Sequence, residues 1–161
     1  MSATIASMDT KLLKKAIEQS RESVSRGAFP VGVVIAMDGE PFTFGISNGK
    51  QLNDPTSHAE IAAMRDACSR LRTRSLKSAT LYSSMEPCLM CYAACVWASI
   101  PRVVYACGKD KLSSMHFEGA HNLDAINKHT RKPIELVHIT DLEGEALKVI
   151  TDWEATLAVG R

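Results

Sequence analysis

The spacing of apolar residues switches along the chain between helical and strand-like patterns. In residues 9–26, apolar or small side chains fall at Leu12, Leu13, Ala16, Ile17, Ser20 and Val24, an interval that lines one face of a helix. Asp9 or Thr10 is placed to cap its start and Gly27 to end it. Residues 31–37 are a β-branched, apolar run that stops at Asp38-Gly39, a hairpin turn signal, and residues 42–46 read as the returning strand. A polar stretch over 48–54 leads through Pro55 and Ser57 into a helix over 58–70. Residues 79–84 predict another strand. Pro87 opens a helix that is apolar nearly all round (Leu89, Met90, Ala93, Ala94, Val96, Trp97), and Pro101 ends it. Strands over 102–107 and 134–139 and a closing helix over 141–157 complete the pattern.

Strands that alternate with helices favour parallel pairing through right-handed crossovers, whereas the hairpin adds an antiparallel pair. Continuously apolar strands need cover on both faces. The expected fold is therefore α/β: a three-layer αβα sandwich with a mixed five-stranded sheet and helices on both faces, with residues 1–161 as a single domain.

Composition narrows the function. The apolar runs are too short or too interrupted to span a bilayer, and the N-terminus has no basic segment followed by an apolar one, so the cytosol is the expected compartment and no membrane partner is expected. A formal net charge of +1 lacks the basic excess with which proteins grip long nucleic acids, so nucleic acid is not the expected partner and a small substrate is. Arg70, Arg72, Arg74 and Lys77 form a local basic stretch that reads as a solvated helix end and loop. Five cysteines, an odd number, argue against a disulfide framework and leave thiols free for metal.

Those thiols sit in an informative pattern. Cys88 and Cys91 lie one turn apart at a helix start, where the helix dipole favours thiolates. With His58 they make one imidazole and two sulfurs, a donor set suited to zinc rather than to magnesium or calcium. Three protein ligands leave a tetrahedral position open for a water whose pKa falls near 7, the mark of a catalytic site. Glu60, two residues past His58, is placed to move a proton without being a ligand. Cys95, one turn beyond Cys91, is the alternative fourth ligand of a closed structural site, but reads as a small packed side chain. A redox dithiol would give the His-x-Glu no role. An inactive zinc-stabilised binding protein remains a rival class, separable by ammonia release.

His-x-Glu followed by Pro-Cys-x-x-Cys is the signature of zinc deaminases. The stretches Asp54-Pro55-Thr56-Ser57-His58-Ala59-Glu60 and Glu86-Pro87-Cys88-Leu89-Met90-Cys91 resemble the cytidine deaminase-like superfamily. The resemblance is greatest to the branch of free-base guanine deaminases, cytosine deaminases and tRNA adenosine deaminases, and it covers residues 12–153. It implies that His58, Cys88 and Cys91 bind one Zn2+ per chain, that Glu60 shuttles protons, that the fold is αβα, and that the protein is a homodimer.

The resemblance also bears on the substrate. Guanine deaminases carry a tryptophan six residues after the second zinc cysteine, where Trp97 stands, and Phe117 holds a matching offset from Tyr105. Pro30-Val31-Gly32 instead resembles cytosine and tRNA adenosine deaminases, with Phe29 one position early. The segment expected to supply an acidic contact has Lys111 in register and Asp110 beside it. Ser47 holds the place of the family's substrate-binding asparagine, and a one-residue deletion would put Asn48 there. The implied substrate contacts are Asn48, the main chain at Ala59, and Trp97 or Phe29 over the ring. The leading reaction is guanine to xanthine, with cytosine or tRNA adenosine deamination as the alternatives.

Overall fold

A computed structural model describes residues 3–159. The chain runs α1 (Ala3–Ser25), β1 (Gly32–Met37), β2 (Glu40–Ile46), α2 (Gly49–Leu52), α3 (Ala59–Leu71), β3 (Ala79–Met85), α4 (Leu89–Trp97), β4 (Arg102–Cys107), α5 (Leu123–Lys128), β5 (Glu135–His138) and α6 (Glu143–Val159). The five strands form one sheet in the order β2-β1-β3-β4-β5. β1 pairs antiparallel with both β2 and β3, and β3-β4-β5 are parallel. The mixed five-stranded sheet expected from the alternation of elements is the sheet observed.

Local chemistry explains the turns. Asp38 and Gly39 both have positive φ, 51° and 79°, the conformation that a two-residue hairpin needs. α1 and α6 pack together on one face of the sheet, while α3 and α4 lie on the other. The core between these layers is built from Leu12, Leu13, Ile17, Val33, Ile35, Leu81, Val103 and Val104, all fully buried. On β2, a Cβ added to Gly45 would sit 2.0 Å from the Ala59 carbonyl oxygen. The bare strand at Gly45 is what lets the first turn of α3 lie against the sheet.

Three expected boundaries are corrected. Asp9 does not cap α1, which begins at Ala3; its buried carboxylate instead accepts from Tyr82 Oη at 2.8 Å and from both terminal nitrogens of Arg102 at 2.8 and 2.7 Å. Pro87 is not the first helical residue, because Cys88 is the N-cap of α4. α5 lies in a stretch with no assigned element, although Asn122 Oδ1 accepts from Ala125 N at its start. Arg70, Arg72, Arg74 and Lys77 are exposed, as expected for a helix end and loop.

Candidate active site

Two helix starts converge on one point. His58 caps α3 and Cys88 caps α4 with nearly the same extended backbone, φ −68°, ψ 165° and φ −67°, ψ 168°. Neither side chain serves its own helix as a cap, so both are free for other duties. Cys91 follows on the first turn of α4. His58 Nδ1 lies 3.5 Å from Cys88 Sγ and 3.6 Å from Cys91 Sγ. Zinc bonds of about 2.3 Å to sulfur and about 2.0 Å to nitrogen, at a tetrahedral angle, give an N···S edge of about 3.5 Å. Among the described residues, these three side chains form the metal-binding cluster, and the donor set fits Zn2+. Cys95 is fully buried in the hydrophobic core and is not part of this cluster.

The electrostatics suit a cation. A hydrogen bond from Cys91 and one from His58, acting against burial, hold the Cys88 thiol down to about 4. The same sulfur, together with burial, pushes Cys91 well up. The hydrogen bond to Cys88 raises His58. Burial takes the Glu60 carboxyl up to about 6, toward the range of a group that both takes and gives a proton near neutrality.

Glu60 and two of the cluster's three residues, His58 and Cys88, open onto one cavity of about 190 Å3, with Cys91 buried behind them. Phe29 and Val31 from the approach to β1, Ser47 after β2, and His58, Ala59 and Glu60 at the start of α3 line it. Met85, Glu86 and Cys88 add the end of β3 and the start of α4, and Met115, His116 and Phe117 complete it. Thus Phe29, Ala59, Glu60 and the two metal-ligand types are brought together. The segment after β4 is tied to α4 by Glu118, whose Oε1 accepts from Leu89 N at 2.7 Å.

Three candidates lie elsewhere. Trp97, expected over the ring, is 87% exposed at the far end of α4 and lines a surface depression with Ile61, Met64 and Ala94. Ser47, not Asn48, faces the cavity: the chain turns into α2 at Asn48, and Asn48 Oδ1 accepts from Ser57 Oγ. Asp110 pairs with Lys111 at 3.3 Å on the surface instead of entering the cavity. Sequence reasoning did not find Trp153 and Glu154 of α6, which back the cavity wall at Phe29 and His116. Of the wall residues, Phe117 carried a signal, its offset from Tyr105.

No helix among the described residues is long and apolar enough to cross a membrane. Residues 6–107 match the family described as the cytidine and deoxycytidylate deaminase zinc-binding region. The chain is 38% identical to the guanine deaminase of Bacillus subtilis over 124 residues, 76% of this chain and 77% of that protein. It is 37% identical to the tRNA-specific adenosine deaminase of Aquifex aeolicus over 94 residues, 58% of this chain and 62% of that protein, so it spans less than two thirds of the latter's length. The solved structure of a Bacillus subtilis guanine deaminase superposes with a TM-score of 0.65 at 33% identity, covering 91% of this chain and 93% of that one. With the two helix-capping ligands, the adjoining Glu60 and a match across most of the sheet, the chain belongs to the zinc-binding cytidine and deoxycytidylate deaminase family.

Proposed function

We propose that this protein, acting in the cytosol as one zinc-dependent deaminase domain, hydrolytically removes an amino group as ammonia from a free nucleobase or an amino-heterocycle of similar size, with guanine the leading candidate. The observation that carries this reading is the shared cavity: Glu60 lines a space of about 190 Å3 together with His58 and Cys88 of the metal cluster, small beside the ~300–1,000 Å3 of ordinary ligand pockets. The similarity to a guanine deaminase over 76% of the chain and the presence of Phe117 in the wall favour guanine over cytosine. The second reading, tRNA adenosine deamination, draws on the similarity to the Aquifex aeolicus protein, but a net charge of +1 and a closed aromatic wall weigh against an RNA partner.

Zinc bound at this cluster would supply Lewis acidity that brings the pKa of a water near 7. The remaining work falls to the chain. His58, Cys88 and Cys91 would hold the metal from two helix starts. The Glu60 carboxylate, buried and shifted to about 6, takes one proton from the attacking water and gives it to a ring nitrogen, then takes a second from the hydroxyl added at the ring carbon and gives it to the amino group, which leaves as ammonia. Phe29 covers the ring and limits water, while Ser47 and the main chain at Ala59 meet its polar edge. Asn48, bonded to Ser57, fixes the turn that presents His58.

We also propose a homodimer in which α3 and α4 meet their counterparts, because exposed Trp97 lies beside Ile61 and Ala94 in an apolar depression. The experiment for the central reading is ammonia release by the zinc-loaded protein from guanine, cytosine, adenine, their nucleosides and tRNA. Release from a free base supports it, and release from adenosine in tRNA alone replaces it with the second reading.

A further inference from the structure

The part of the cavity wall formed by Phe29 and His116 is held from behind by the last helix. His116 Nε2 and Glu154 Oε1 are 2.6 Å apart. A carboxylate can only accept, so Nε2–H donates and the imidazole is fixed in one orientation. Around this bond, Phe29 meets His116 edge-on at 5.2 Å, Phe29 meets Trp153 at 5.2 Å, and His116 meets Trp153 at 5.9 Å. Three separate elements thus lock together: the approach to β1, the segment after β4, and α6. Phe29 and His116 line the cavity, whereas Trp153 and Glu154 do not. Widening the cavity on this side requires breaking a charge-assisted hydrogen bond and parting three aromatic edges together.

We infer that His116, oriented by Glu154, is a specificity-determining residue that confines the cavity to a free ring and turns away the ribose-bearing form of the same base. His116 is the side chain that meets the substrate's far edge, and Glu154 is its positioning residue. This rests on the free-base reading above, and deepens it by naming what enforces the choice.

The test compares ammonia release from guanine with guanosine, and from cytosine with cytidine, by the full-length zinc-loaded protein and its Glu154→Ala, Glu154→Gln and His116→Ala variants. Zinc content and melting temperature are measured on the same samples. Glu154→Ala is expected to lower the base-to-nucleoside ratio of kcat/KM about tenfold, mostly through KM, and His116→Ala to shift it the same way. Glu154→Gln keeps an acceptor for Nε2–H and is expected to keep the wild-type ratio. An unchanged ratio in folded, zinc-loaded Glu154→Ala, or a fall in Glu154→Gln equal to that in Glu154→Ala, overturns the inference. A wild type that takes the nucleoside as readily as the base overturns this inference while deamination stands. A wild type that releases ammonia from none of the four overturns the reading beneath it.

Discussion

Glu118 reaches from the segment after β4 to the start of α4, where its Oε1 accepts the Leu89 amide hydrogen at 2.7 Å. Leu89 is the first residue of a helix whose own cap, Cys88, gives no side-chain hydrogen bond, so Glu118 supplies the missing acceptor from 29 residues away. Burial acts to raise the Glu118 carboxyl, but hydrogen bonds from its own amide and from Leu89 hold it below the usual glutamate range. A carboxylate at this end also favours the helix dipole. Glu118→Ala is predicted to cost about 1 kcal/mol and to loosen zinc, read by thermal melting and by competition with a chelator. Because the carboxyl is depressed, its contribution is present above the ordinary glutamate pKa and fades as pH falls through the lower, folded value. Wild-type zinc retention in Glu118→Ala contradicts the cap's role.

Gly45→Ala should damage the site from beneath. The new Cβ would stand 2.0 Å from the Ala59 carbonyl and 2.9 Å from the Ala63 Cβ, so the first turn of α3 must lift. His58 and Glu60 ride on that turn. The substitution is predicted to cost at least about 2 kcal/mol in urea unfolding and to lower bound zinc below one per chain. Full zinc with unchanged stability would show that α3 does not depend on this approach.

The Asp9–Tyr82–Arg102 network predicts the opposite separation. Asp9 is buried and Arg102 grips it with two nitrogens, and neither these residues nor Tyr82 line the cavity. Arg102→Ala leaves a buried carboxylate unpaired and is predicted to cost about 3 kcal/mol, and Tyr82→Phe about 1 kcal/mol. Below their melting temperatures both variants should keep zinc and KM. A changed KM in Tyr82→Phe would contradict this division.

How much of this was legible in the chain differs from residue to residue. The hairpin at Asp38-Gly39 and the strand runs were readable because their signals are local. So were His58, Cys88 and Cys91, because a zinc site on two helix starts leaves fixed short spacings, and Glu60, two residues past His58, lines the same cavity. Asp9 misled, because its real partners, Tyr82 and Arg102, stand 73 and 93 residues away. The His116–Glu154 bond spans 38 residues and leaves no periodic trace. Trp97 misled for another reason: a helix apolar on every side does not tell which side stays uncovered.

Trp97 gives a direct prediction for assembly. If its exposed face joins two copies, Trp97→Arg puts an unpaired charge into that contact and is predicted to halve the mass measured by light scattering without loss of zinc. A wild-type protein that is monomeric at high concentration contradicts the dimer.

Cysteine reactivity separates bound from packed thiols. Cys95 and Cys107 are buried, burial pushes Cys107 up to about 12, and Cys68 is the partly exposed one. In the zinc-loaded protein Cys68 should alkylate first, and chelation should add Cys88 and Cys91 and leave Cys95 and Cys107 protected. Rapid alkylation of Cys88 with zinc bound would place the metal elsewhere.

The central claim is that zinc on His58, Cys88 and Cys91 works beside a proton-carrying Glu60. The most direct measurement is zinc content and ammonia release of Glu60→Gln beside wild type, on the base that wild type turns over. The account predicts one zinc per chain in both and a loss of about 10²–10⁴-fold in kcat for the variant. Wild-type turnover in zinc-loaded Glu60→Gln, or wild-type protein that deaminates without bound zinc, would contradict it.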